Sequence, residues 1–228
     1  MILATDLDGT FLGGKMEDRL RLYRLIKASA NMQLVFVTGR GLESVLPLLS
    51  DPLIPVPDFI IADVGATVVN GHSLEAIEPL QSEIEEKWPQ TYAIRSALDE
   101  IPQLRYQHVP QQRRSSFYYE PEVDLNLVKQ VADRYECDMI TSADQYLDLL
   151  PKGVNKGTTL KKLIEFLDVE ADDVMVAGDT LNDLALFEIG FRGVAVGKSE
   201  DGLLQAVDQM ETAYAAEAAG AGGILEYM

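Results

Sequence analysis

The chain has one cysteine, two histidines and one tryptophan in 228 residues, and 37 acidic side chains against 19 basic ones. Each shortage excludes something. The lone Cys137 cannot close an internal disulfide, so no covalent staple holds the fold. Its setting, Tyr135-Glu-Cys-Asp138 ahead of an apolar strand, predicts partial burial rather than a reactive thiol. His72 and His108 are the only imidazoles, and neither lies in a motif that would pair it with a nucleophile or a metal. A formal charge of -18 sets up a field that repels the phosphates of nucleic acids and anionic membranes. A small anion still binds where a local cation or metal overrides that field; the remaining acidic surface serves solubility. No apolar run approaches the ~18 residues needed to cross a bilayer. The first residues lack a basic segment and turn acidic at Asp6 and Asp8, so a cytoplasmic protein is expected.

What is present is ordinary globular composition, with 47% hydrophobic and 25% charged residues, and enough length for one substantial core plus a smaller module. Five short apolar runs recur, at residues 2–5, 33–38, 59–62, 174–177 and 193–196. They lack the alternation of half-exposed strands, which is what a parallel sheet covered on both faces requires. Helical patterns lie between them, over 16–30, 41–49, 155–167 and 180–189. The alternation predicts an α/β fold: a doubly wound, parallel, Rossmann-like core sheet with right-handed crossovers.

The pattern changes after the third run. Residues 64–74 read as a hairpin turning at Asn70-Gly71. From there the order is helix (81–98), strand (104–107), strand (115–119), helix (123–135), strand (138–141) and strand (146–150). Because the strand–helix alternation resumes only after Pro151, residues 80–150 are expected to form an inserted α+β cap, with residues 1–79 and 151–228 as the core. The alanine- and glycine-rich stretch 213–223 reads as a loop before a short terminal helix at 224–228.

Polar clusters stand at the ends of the core runs. The first run ends in Asp6-Leu7-Asp8-Gly9-Thr10, the second in Thr38-Gly39-Arg40, and the fourth in Gly178-Asp179-Thr180-Leu181-Asn182-Asp183; Asn155-Lys156-Gly157 opens a helix. In a parallel sheet these strand ends share one edge, where ligands bind. Four acids together, Asp6, Asp8, Asp179 and Asp183, need a cation, and hard oxygen ligands suit Mg²⁺. The inventory fits phosphoryl transfer: Asp6 to attack phosphorus, Asp8 to handle the proton, and Thr38 with the amides of Gly39, Gly9 and Thr10 to hold phosphoryl oxygens. Lys156 would offset their charge. Arg40 either serves this second cluster or caps a helix. Gly153-Val-Asn-Lys-Gly-Thr158 lacks the Gly-Lys-Ser/Thr order of a nucleotide-binding loop.

In this order the four clusters resemble the haloacid-dehalogenase-like phosphohydrolase superfamily. The resemblance implies Asp6 as nucleophile, Asp8 as acid/base, a metal held by Asp6, Asp179 and the backbone carbonyl of Asp8, and Asp183 holding metal-bound water or the metal itself. It also places Asn182 on the phosphate side. The insertion resembles a C2-type cap of subtype IIB. Tyr146-Leu-Asp-Leu-Leu-Pro-Lys-Gly-Val-Asn-Lys-Gly157 and Gly222-Gly-Ile-Leu-Glu226 are similar to the sucrose-phosphate phosphatase group.

The expected activity is therefore Mg²⁺-dependent hydrolysis of a sugar phosphate, such as sucrose 6-phosphate, with Lys152 and Asn155 among the substrate contacts. The expected partners are a small sugar phosphate and a sugar-phosphate synthase, with no nucleic acid and no membrane. Rival readings are a phosphosugar mutase, a mannosylfructose-phosphate or glucosylglycerol-phosphate phosphatase, and a regulatory phosphatase-like domain without turnover. In the cap, strand 115–119 after Arg113-Arg114 reads as an ordinary packed face.

Overall fold

In the computed structural model, which describes residues 1–88, 91–110, 112–142 and 144–228, the chain opens with β1 (Ile2–Thr5), α1 (Met16–Ala28), β2 (Gln33–Val37), α2 (Leu42–Leu49), β3 (Phe59–Ala62) and β4 (Thr67–Asn70). There follow α3 (Leu80–Glu85), α4 (Thr91–Leu98), β5 (Leu104–Tyr106), β6 (Ser115–Tyr119), α5 (Leu125–Arg134), β7 (Cys137–Ser142) and β8 (Tyr146–Pro151). The last stretch holds α6 (Lys156–Phe166), β9 (Val174–Gly178), α7 (Leu184–Glu188), β10 (Arg192–Gly197), α8 (Asp201–Val207), β11 (Ala213–Ala219) and α9 (Ala221–Tyr227).

One sheet runs β11-β10-β9-β1-β2-β3-β4, and its pairings are parallel except for the antiparallel edge strand β4. Successive strand residues are apolar because each face has its own helices. Ile2, Ala4, Val35 and Val37 point to the layer of α3, α6, α7 and α8 through Ile84, Leu160, Phe187 and Leu203. Leu3, Leu34 and Phe36 point to α1, α2 and α9 through Leu22, Val45 and Ile224. Each such buried side chain larger than alanine contributes ~1.5–3 kcal/mol relative to exposure, so the two layers hold the sheet from both sides. The winding reverses between β1 and β9, and the crevice outside the carboxyl ends of strands at such a reversal is where a ligand fits.

A second sheet, β5-β6-β8-β7, is antiparallel. Phe117, Leu147, Leu149 and Cys137 cover one face against Ile94 and Leu98 of α4 and Val128 and Ala132 of α5. The strand period of two turns Ser116, Tyr146 and Asp148 to the other face. The α/β class with a parallel-dominated core sheet and a smaller α+β cap is as expected. No helix among the described residues is long and apolar enough to cross a membrane.

Three local expectations change. The helix expected over 81–98 is two helices, α3 and α4; Pro89 and Gln90 lie outside the described residues, and a proline lacks the N–H that a helix interior needs. α3 packs on the seven-stranded sheet, where Gln81 Oε1 accepts Val68 N–H at 2.8 Å. The stretch 213–219 is not a loop but β11, paired in parallel with β10, because tertiary pairing outweighs the weak strand propensity of alanine. The glycine that follows it serves packing: Gly220 has φ +57, and a Cβ there would lie 2.1 Å from the Gly13 carbonyl carbon. The terminal helix accordingly starts at Ala221. The Asn70-Gly71 turn is present, with Asn70 Oδ1 accepting His72 and Ser73 N–H, but its returning arm makes a single bridge, Val69 to Ala76.

Candidate active site

The cleft lies where β1, β2 and β9 end, facing the open side of the four-stranded sheet. It encloses about 400 Å³ and is lined by Asp6, Asp8, Gly39, Arg40, Gly41, Ser44, Val64, Thr180 and Asn182 from the core sheet's side. The four-stranded sheet and the segments flanking its strands contribute Gln107, Val109, Arg114, Ser142, Tyr146 and Asp148.

At its floor Asp6 is 5% exposed, held just past β1 by its N–H on Ala177 O at 2.9 Å. Lys156, first residue of α6 and 1% exposed, places Nζ 2.8 Å from Asp6 Oδ1 and 2.6 Å from Asp183 Oδ1. Asn155 caps that helix, its side chain accepting Thr158 N–H at 2.8 Å, and this fixes where the lysine emerges. Asp183 Oδ2 accepts the N–H groups of Asp179 at 3.0 Å and Thr180 at 3.1 Å. Asp179 Oδ1 accepts the Thr10 hydroxyl at 2.7 Å. Gly9, with φ +80, is required by this approach: a Cβ would lie 2.0 Å from Asp179 Oδ2.

Asp6, Asp179 and Asp183 each offer an oxygen within 4.8 Å of the others, a set that fits a hard divalent cation. Their electrostatics agree. Burial raises Asp6 above the ordinary carboxylate range, with Asp183 and Asp179 adding to it and Lys156 opposing. Burial likewise raises Asp179 to about 6, with Asp183 contributing. Burial alone would lower Lys156, but Asp183 and Asp6 outweigh it and raise it. One cation is too little for three close carboxylates, and a metal supplies the rest.

A stability consequence follows. Groups whose folded pKa is raised keep protons that the unfolded chain has released, so their contribution is complete at low pH and is lost as pH rises. Between about pH 4 and pH 7 the metal-free protein should lose melting temperature relative to an Asp6→Asn variant, and added Mg²⁺ should remove the difference. Parallel melting curves of the two metal-free proteins across that window would contradict this electrostatic account of the cluster.

The other expected residues divide. The Asp8 carboxylate stands outside the acidic triplet, at the cleft rim, gripped by Arg40 through Nε at 2.7 Å and Nη2 at 2.6 Å. Arg40 thus serves the cleft. Thr38 is buried, and its Oγ1 accepts Arg40 N–H at 3.1 Å. Asn182 lines the cleft, and its buried Oδ1 has no hydrogen-bond partner among the described residues. Lys152 is elsewhere: it is exposed and paired with Asp138 at 2.6 Å. Asn155 is spent on its helix cap, and neither of these two lines the cleft. Arg114 and Asp148 are site residues that sequence reasoning missed. The signal was a carboxylate alternating with leucines in Tyr146-Leu-Asp-Leu-Leu150, an acid that an ordinary packed strand does not need.

The model of the sucrose-6F-phosphate phosphohydrolase family matches residues 1–228. The chain belongs to this family. It is 30% identical over 246 residues to mannosylfructose-phosphate phosphatase of Agrobacterium fabrum (strain C58 / ATCC 33970), covering 99% of this chain and 94% of that protein. It is 53% identical over 227 residues to glucosylglycerol-phosphate synthase of Pseudomonas anguilliseptica; this covers 99% of the chain but spans only 30% of the synthase. The sucrose-phosphatase of Synechocystis sp. PCC6803, solved with sucrose and phosphate, superposes with a TM-score of 0.88 at 26% identity, covering 100% of this chain and 96% of that one. A sugar phosphatase described as subclass IIB of the haloacid-dehalogenase superfamily shares the fold, with a TM-score of 0.69 at 16% identity over 94% of this chain and 93% of that one.

Proposed function

We propose that the chain is a Mg²⁺-dependent phosphatase of phosphorylated glycosides, working in the cytoplasm, with the insertion 80–150 as specificity module over a core of 1–79 and 151–228. The observation that carries this reading is the floor of the cleft: a desolvated Asp6 carboxylate held by Lys156 at 2.8 Å, beside two further acids. In the first step an Asp6 oxygen bonds to phosphorus, the bond from phosphorus to the sugar oxygen breaks, and Asp8 gives the leaving oxygen its proton. In the second, water attacks the aspartyl phosphate, Asp8 takes the water's proton, and inorganic phosphate leaves with Asp6 restored.

Thr38 and the amides of Gly39, Gly9 and Thr10 hold the phosphoryl oxygens, the Thr10 hydroxyl being engaged with Asp179. Asn182, in the cleft lining, donates its side-chain N–H to the same group. Mg²⁺, held by Asp6, Asp179, Asp183 and the carbonyl of Asp8, would neutralise charge building on the phosphoryl group. The cleft between the two sheets shelters the aspartyl phosphate from bulk water until the sugar has left.

The named relatives act on, or make, phosphorylated glycosides of two units, and the cleft has room for such a leaving group. The 53% identity to a stretch of that synthase supports glucosylglycerol phosphate as a candidate substrate beside sucrose 6-phosphate and mannosylfructose phosphate. That relative is a synthase in which the matched stretch is 30% of the length, and this supports a working association between the present chain and a sugar-phosphate synthase.

Phosphate release should be measured on these three, trehalose phosphate and hexose phosphates, with and without Mg²⁺. The expected result is Mg²⁺-dependent release, with kcat/KM on the best glycoside at least about tenfold above that on the hexose phosphates. No release from any glycoside phosphate would end the reading in favour of a regulatory domain. Retention of the phosphate with its transfer to another sugar position would favour a mutase.

A further inference from the structure

Arg114 immediately precedes β6, yet its guanidinium is only 7% exposed and lies between two carboxylates from different sheets. Nε is 3.0 Å from Asp63 Oδ1, just past β3 of the core sheet. Nη1 is 3.3 Å from Asp148 Oδ1, on β8 of the smaller sheet. The outer ends are braced too: Thr67 donates to Asp63 Oδ2 at 2.8 Å, and the Ser116 hydroxyl donates to Asp148 Oδ1. The anchoring loop carries strain. Asp63 and Val64 have φ of 53° and 58°, a conformation that a β-branched residue keeps only where its surroundings over-determine it.

Phosphoryl transfer does not call on this trio. Asp6, Lys156, Asp179 and Asp183 make their contacts without it. Burying three charged groups is unfavourable for stability, so the arrangement calls for a role in specificity. Arg114 and Asp148 both line the cleft that contains Asp6. Both Arg114 and Ser116 engage Oδ1 of Asp148 and neither engages Oδ2, while the Asp148 side chain keeps 12% exposure.

We propose that Asp148 accepts a hydroxyl of the leaving alcohol and so selects for it, and that Arg114 is the positioning residue that anchors Asp148 to Asp63 of the core. The inference rests on the glycoside-phosphate reading, because a leaving group without hydroxyls gives Asp148 nothing to accept. One cation between two carboxylates leaves a net negative charge, which favours an uncharged polyol at this place over a second phosphate. The guanidinium reaches two carboxylates with different nitrogens, Nε as an ion pair with Asp63 and Nη1 as a hydrogen bond to Asp148, a span that a compact ammonium covers less well.

Arg114→Gln, Arg114→Lys, Asp63→Asn and Asp148→Asn are to be assayed on the glycoside phosphate that the wild type turns over best and on p-nitrophenyl phosphate, whose leaving group has no sugar hydroxyls. Arg114→Gln and Asp148→Asn should lower the ratio of the two kcat/KM values at least about tenfold, chiefly through KM for the glycoside. Arg114→Lys should recover part of the ratio, and Asp63→Asn should shift it less, in the same direction. A merely structural role would slow both substrates alike; an unchanged ratio, with or without lost activity, overturns the proposal. Should Arg114→Gln fail to fold, the isosteric Asp148→Asn decides by the same ratio. If the wild type hydrolyses p-nitrophenyl phosphate and no glycoside phosphate, the functional reading falls and takes the inference with it. If the wild type prefers the glycoside and the variants keep that preference, this inference alone falls.

Discussion

Asp6→Asn should release phosphate about three orders of magnitude more slowly than the wild type, or slower still, while remaining folded. An amide oxygen is a poor nucleophile and cannot form the acyl phosphate, so the reaction loses its first bond rather than a supporting contact. The fold should survive because the substitution removes one of three close carboxylates and leaves Lys156 its 2.6 Å pair with Asp183. Circular dichroism and melting establish folding, and single-turnover phosphate release reads the rate. Residual turnover above a few per cent of wild type, in folded protein, would remove Asp6 from the nucleophile's role.

Lys156→Met should be the most damaging substitution for the metal-free protein. Methionine fills much of the same volume but leaves Asp6 and Asp183 buried without their cation, 5% and 0% exposed. Removing one partner of a buried ion pair costs about 3–5 kcal/mol, since the remaining charges keep their desolvation penalty. Urea unfolding of metal-free protein measures it, and the loss should shrink in Mg²⁺ because a bound cation stabilises the folded state. Turnover in Mg²⁺ should still drop about a hundredfold, through lost stabilisation of phosphoryl charge. A stability change under about 1 kcal/mol would show that these carboxylates do not depend on the lysine.

Much of the site was legible in the sequence, because its chemistry follows strands whose two-sided burial leaves a plain apolar signature. Asp6, Thr38 and Asp179 each directly follow such a strand, and Lys156 opens a helix with a recognisable capping residue. What was not legible depended on contacts across the fold. The 213–219 stretch looks like a loop in isolation, since its strand pairing is supplied by β10 and the need for Gly220 after it by the close approach to Gly13. Lys152 and Asn155 sit near the motif lysine in sequence, yet one turns out to Asp138 and the other caps its helix. Arg114 was hidden for the opposite reason: its partners, Asp63 and Asp148, are far away in the chain on either side.

The helices that lead out of and back into the core sheet lie side by side. α3 and α6 are clasped by Lys162 and Glu83 at 2.6 Å, and Thr159 donates to Gly65 O at 2.8 Å beside them. A segment whose ends are already neighbours can be replaced at little cost in chain entropy. The segment between these two helices is therefore exchangeable at little cost to the strands that carry Asp6 and Asp179. Proteins that share the fold can in this way differ in the sugar they take, as the names mannosylfructose-phosphate phosphatase and sucrose-phosphatase do among the relatives.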